Sequence, residues 1–135
     1  MGRKGFTVTV ELDPVGYVGR EWAAQRGKSL DPAKLTSKRA KERAQKVRDF
    51  LTFRDLFRFR LGAKAQVIPS TVKPFVRTWI HYRGSGGPDP DHVHSAVLDC
   101  LLEDDRRAIG GVADYSYDAG DQARVVVAVQ WNEEV

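Results

Sequence analysis

The chain has 135 residues, the size of one domain, and its 41% hydrophobic content suffices for a core without disulfide or metal staples. No apolar run approaches the roughly 20 residues of a membrane-spanning helix, and the single cysteine, Cys100, cannot form an intrachain disulfide. These features exclude a stapled secreted mini-protein, a helical membrane protein and a disordered tail.

The start, Met1-Gly2-Arg3-Lys4-Gly5-Phe6, runs directly into a strand-like segment, so the expectation is a cytoplasmic protein without a signal peptide. Gly2 does not begin a myristoylation pattern, because Phe6 stands where Ser or Thr is needed. The net charge of +4 hides a strong asymmetry. Residues 1–80 hold 18 Lys and Arg against 7 Asp and Glu, a net of +11. Residues 81–135 hold 4 against 11, a net of −7, and no lysine follows Lys73. A basic half attracts polyanions through counterion release. An acidic cluster in the same chain would repel them, unless its carboxylates hold divalent cations and so reverse the local sign. Two oppositely charged faces, or an acidic surface that simply solvates, would explain the same counts.

Phe6 to Leu12 alternates apolar and polar residues, the period of a half-buried strand, and Asp13-Pro14 ends it. Residues 14–36 carry Tyr17, Arg20, Trp22, Arg26 and Lys28 and are expected to form a loop or short helical pieces in which Trp22 finds a partner. Asp31-Pro32 has the form of an N-cap followed by proline at the first helical position. A long helix is predicted over 36–61. Ala40, Ala44, Val47 and Leu51 keep one stripe, and Phe50, Phe53, Phe57 and Leu61 a second, which implies a bend near Thr52 or two packing partners. Arg39, Arg43 and Lys46 share a face of it, and Gly62 can stop it in the left-handed conformation. A solvated basic face accounts for the same residues.

Phe75 to Arg83 alternates again, with Val76, Thr78, Ile80 and Tyr82 on one side, before the flexible turn Gly84-Ser85-Gly86-Gly87-Pro88. Asp89-Pro90-Asp91 opens a short amphipathic helix whose apolar face is Val93, Ala96, Val97, Cys100 and Leu101, so Cys100 reads as core rather than nucleophile. Val112 to Tyr117 is a further strand candidate. Arg124 to Trp131, nearly continuous in valine, belongs at the centre of the sheet. The expected architecture is α+β: one domain over residues 1–135, with a mixed sheet of about four strands against a long basic helix and a short acidic-capped one.

The densest chemistry is Asp89 and Asp91 at a helix start, Asp99 two turns later, and Asp104-Asp105 just beyond. Helical geometry puts His92, Ser95 and Asp99 on the polar face. Carboxylates converging from a helix start and a following loop suit magnesium, which is shared with substrate phosphate and can support in-line attack on a phosphodiester. The same aspartates also satisfy the capping and macrodipole preferences of any helix start. His92 and His94 could share a zinc ion on a strand, but on a helix i and i+2 point apart. There is no phosphate-binding loop of P-loop form, no nucleophile elbow and no paired CxxC.

At these residues the sequence resembles the RusA-like Holliday-junction resolvases. The family pattern is an Asp-x-Asp-Asn stretch opening an amphipathic helix, a Leu-Asp-Ala-Leu-like segment within it, and an Asp-Asp pair before a strand. The counterparts are Asp89-Pro90-Asp91-His92, then Val97-Leu98-Asp99-Cys100-Leu101, then Asp104-Asp105. The likeness spans most of the chain and is motif-specific from about 75 to 131.

The resemblance implies a magnesium-dependent homodimeric endonuclease, with manganese as a substitute ion, acting in a bacterial or phage-infected cytoplasm. It would bind branched DNA at four-way junctions and make paired nicks that leave 5′-phosphate and 3′-hydroxyl ends. Carried over by position, Asp89, Asp91 and Asp105 would be the catalytic metal ligands. Asp104 stands behind Asp105, and Asp99, His92 and Ser95 would be supporting residues. The family's lysine one turn after the second aspartate is Ser95 here, and its asparagine is His92. Arg83, His92, His94 or Arg106 would be the stand-ins for that cation. The expected DNA track is Arg20, Arg26, Lys28, Arg39, Arg43, Lys46 and Arg83. The alternative is a non-catalytic DNA-binding or phage-associated module on the same fold.

Overall fold

A computed structural model of the chain describes residues 3–64, 68–102 and 108–132. Its elements are β1 (Arg3–Val10), α1 (Gly19–Ala24), α2 (Lys38–Leu61), β2 (Phe75–His81), α3 (Pro90–Leu101), β3 (Ile109–Ser116) and β4 (Arg124–Asn132). The strands form one mixed sheet in the order β1-β4-β2-β3. β4 is antiparallel to both of its neighbours, and β2 and β3 run parallel. The expected α+β class and four-stranded mixed sheet are thus present in a single small domain. Among the described residues no helix is long and apolar enough to cross a membrane.

Central placement explains the composition of β4. Val125, Val127 and Val129 are fully buried on the helix-covered side, joined in the core by Val8 and Val10 of β1 and Val76 and Ile80 of β2. Val126 and Ala128 face the other way and are still half-buried or better, because strands flank β4 on both edges. β1 begins and ends earlier than the alternation suggests, at Arg3 and Val10, where its pairing with β4 stops. Beyond it Leu12 packs against the core from a loop.

α2 is continuous from Lys38 to Leu61, started by Ser37, whose hydroxyl accepts from the Ala40 amide at 3.1 Å. The Asp31 carboxylate accepts from Ala33 N at 3.0 Å, so Asp31-Pro32 caps a single 3-10 turn and not the long helix. Ala44, Val47, Phe50 and Phe53 step by three residues, and each step turns the buried face back by about 60°. The helix therefore presents its two halves to different partners and contacts α1, α3 and β1. Two partners, rather than a break at Thr52, account for the two stripes. Gly62 ends the helix at φ +57°, as expected.

The short helical piece expected around Trp22 is α1, and Trp22 lines a shallow depression with Tyr17, Phe50 and Arg54 while 40% of its surface stays exposed. On α3 the buried residues are Val93, Ala96, Val97, Cys100 and Leu101, the whole apolar face read from the sequence. Burial pushes the Cys100 thiol up to about 12, which removes it from thiolate chemistry. Because α3 connects two parallel strands, its N-terminus sits at the carboxyl end of β2, where open sheets of this kind commonly bind ligands.

Candidate functional site

The segment leading into α3 is fixed from beneath by Tyr82. Its side chain is 2% exposed, and its hydroxyl donates a hydrogen bond to the Pro88 carbonyl oxygen. Its ring stacks on Tyr117 at 4.9 Å between centroids and 16° between planes. Its backbone bonds to Ser116 and Ala119 at 2.9 and 3.0 Å. Gly87 lies so close that a Cβ there would stand 2.5 Å from the Tyr82 ring, so only glycine lets the turn pack down. Tyr17 N donates to the His92 carbonyl oxygen at 3.1 Å and holds the loop 14–18 along the start of α3.

Asp89 occupies the N-cap of α3, and its backbone carbonyl accepts from the amides of His92 and Val93 at 3.0 and 3.1 Å. Its carboxylate makes no capping hydrogen bond. Asp91 follows in the first turn, and both residues are exposed. Neither side chain has an ion pair among the described residues. Capping, the structural use most aspartates have at a helix start, is therefore not what the Asp89 side chain does.

A cavity of about 530 Å³ opens beside Asp89 and His92. Its far wall is α1 and α2, which contribute Glu21, Lys46 and Asp49. Lys46 Nζ lies 4.0 Å from Glu21 Oε1. The basic helix and the acidic helix start, far apart in sequence, thus share one cavity.

Ser95 points back into its own helix, its hydroxyl donating to the Asp91 carbonyl oxygen at 3.1 Å. Asp99 lines a second depression with Tyr17, Trp22 and Arg54. Ten residues of helix separate it from Asp89, about 15 Å along the axis, so the two carboxylates do not share an ion. His94 is turned toward the sheet, where its Nδ1 and Thr78 Oγ1 share a hydrogen bond of 2.8 Å. Burial lowers the His94 pKa from 6.5, against an opposing pull from Asp91. His92 and His94 thus belong to different surroundings. Among the described residues no three His, Cys, Asp or Glu side chains are grouped to hold a metal. Asp104, Asp105 and Arg106 lie outside the described residues.

Of the basic residues, Arg20, Arg26, Lys28, Arg39 and Lys46 are exposed along α1, the turn after it and α2. Arg43 is half-buried, its Nε donating to Gln25 Oε1 at 3.2 Å, and so it ties α1 to α2. Arg83 is engaged as well, with Asp13 at 3.2 Å and Asp121 at 3.1 Å. The hydrogen bond that Arg83 donates to the Asp13 carboxylate is the main reason its pKa is raised.

Tyr82 is the positioning residue that sequence reasoning missed. The available signal was a tyrosine on the core side of a strand, whose hydroxyl must find an acceptor, just before a glycine-rich turn. No protein-family model matches the chain, and no curated protein matches it.

Proposed function

We propose that the protein is a magnesium-dependent, structure-selective DNA endonuclease of the RusA-like resolvase type, acting on four-way junctions as a homodimer. The observation that carries this reading is the Asp89 carboxylate, which sits at the N-cap of α3 without capping it, beside a second exposed carboxylate on Asp91. Two hard oxygen donors on a short rigid segment fit a magnesium ion, with Asp105 as the third ligand. The bound ion would supply the charge that activates water and stabilises the leaving oxygen of a phosphodiester.

The chain's own residues would do the rest. Tyr82 and Gly87 hold Asp89 in place, and Lys46, in the same cavity, is a cation for the phosphate that reaches it. Arg20, Arg26, Lys28 and Arg39 supply an exposed track for the sugar–phosphate backbone, which positions DNA without reading its sequence. The α+β fold, with α3 between parallel strands, agrees with the resemblance. A two-fold dimer would match the symmetry of a junction and set two sites on opposing strands.

Ser95 favours the second reading, a non-catalytic DNA-binding module. Its hydroxyl is satisfied within the helix at a place where the family carries a cation. Incubating a synthetic mobile junction and a linear duplex of matched sequence with magnesium separates the two. Nicks on the junction alone, reduced at least about a hundredfold by Asp91→Asn, are expected of the endonuclease. Tight junction binding with no nick in magnesium or manganese would establish the binding module instead.

A further inference from the structure

We propose that the uncovered face of the sheet binds single-stranded nucleic acid, with bases stacking along Phe75, Arg77 and Trp79 of β2. The site lies on the side of the sheet opposite α2 and α3, apart from the carboxylates of α3, and does not depend on their role.

Phe75, Arg77 and Trp79 alternate with the buried Val76, Thr78 and Ile80 and so project together from the open face. The Arg77 guanidinium carbon lies 5.8 Å from the centre of the Phe75 ring and 5.2 Å from that of Trp79. The three side chains form a row of ring, cation and ring. Phe75 keeps 39% of its surface exposed, and Ile109 beside it on β3 keeps 50%, so apolar surface is presented to solvent here. Across the strands, the neighbours of Arg77 are Gly111 and Ala128. A Cβ added to Gly111 would meet nothing within 4 Å. The row is therefore open from above and flanked by the smallest side chains of the sheet.

Charge selects the occupant. At the Phe75 end a cavity of about 360 Å³ is lined by Arg3, Lys73 and Arg77, with no Asp or Glu among the described lining residues. Arg77 Nε is buried without a hydrogen-bond partner among the described residues. Among the described residues of the face the carboxylate is Asp114, at the opposite end beside Trp79, where it accepts from the Tyr115 amide at 2.8 Å. A polyanion with exposed aromatic faces fits this layout, because phosphates meet the basic end while bases lie on the rings. Duplex DNA hides its base faces, and unpaired nucleotides do not. A second copy of the chain fits less well. A two-fold contact centred on this row would set Arg77 against its own image with no carboxylate between them.

The test is fluorescence anisotropy of a labelled oligothymidylate of about twelve nucleotides, with chelator present so that no cleavage intervenes. Phe75→Leu and Arg77→Gln should each weaken binding by about five- to a hundredfold, and Arg77→Gln should flatten the salt dependence by about one unit of slope. Gly111→Val removes no contact and suits a strand, so loss of binding with an unchanged melting temperature would mark steric filling of the trough. Asp55→Asn, exposed on α2 on the other side of the sheet, should bind as the wild type does. Absence of wild-type binding at low salt would overturn the proposal. So would variants that dissociate a dimer in sedimentation while binding the oligonucleotide undiminished.

Discussion

The Tyr82 hydroxyl donates to the carbonyl oxygen of Pro88, one residue before Asp89, and couples the end of β2 to the start of α3. Tyr82→Phe keeps the ring stacked on Tyr117 and removes only this bond, at a cost of about 1 kcal/mol in stability. Its larger effect should be on Asp89, read as weaker magnesium binding in a calorimetric titration. Burial, then the neighbouring Tyr117 and Asp89, push the Tyr82 pKa up to about 12, so the donor survives at any ordinary pH. The folded state holds this proton more tightly than the unfolded chain. Its stability contribution is complete below pH 10 and is lost as pH rises toward about 12. Alkaline unfolding should be shallower in Tyr82→Phe.

His94 and His81 give the opposite sign. Burial is the first cause of a lowered pKa in both, so the folded protein favours their neutral forms. Stability is full above about pH 6.5, where both states are neutral, and falls as acid protonates the unfolded chain first. His94→Gln should remove part of that slope in chemical denaturation between pH 7 and 5, and His81→Gln another part. Thr78→Val would leave His94 Nδ1 without its partner in a half-buried place, a loss of about 1–3 kcal/mol at neutral pH.

The sequence made the local elements legible wherever one period dominated. Val93 to Leu101 shows an unbroken helical stripe, and the valine run of β4 has the composition of a strand with neighbours on both edges. What the sequence hid was mostly long-range. The sequence predicts a partner for Trp22, but its neighbours in the depression it lines, Phe50 and Arg54 of α2 and Asp99 of α3, are far from it in sequence. Lys46 and Asp89 are 43 positions apart, and only the packing of α2 beside the start of α3 brings them to one cavity. Arg83 looked like a free cation because Asp13 and Asp121, its partners, flank it from distant loops. Asp99 lay on the expected polar face, but helix length keeps it from the other carboxylates.

Arg43 belongs to the scaffold as much as to the basic surface. Gln25 is 4% exposed and depends on the Arg43 Nε for its oxygen, while its own Nε2 is buried without a partner among the described residues. Arg43→Ala should cost about 1–2 kcal/mol and loosen α1 from α2. Hydrogen exchange should then quicken in residues 19–24 before the sheet is affected. Arg39→Ala, an exposed change on the same helix, should leave exchange alone and weaken only DNA binding.

Gly110 bears on the parallel pairing that frames α3. At φ +107° its position would bring a Cβ within 2.2 Å of the Val76 carbonyl oxygen, so neither the backbone nor the space admits a side chain. Gly110→Ala should destabilise by about 1–3 kcal/mol and detach β3 first. Gly111→Ala, one residue along in open space, should be nearly neutral in thermal denaturation.

The most direct measurement of the central claim uses a supercoiled plasmid that extrudes a cruciform, treated with the protein in magnesium and resolved by electrophoresis. A dimeric resolvase makes both nicks within one encounter, so linear plasmid should appear early, without a preceding build-up of nicked circles. Asp89→Asn and Asp91→Asn should each abolish it while junction binding persists. A plasmid left supercoiled, or one relaxed equally well by both variants, would contradict the assignment of nuclease chemistry to these two carboxylates.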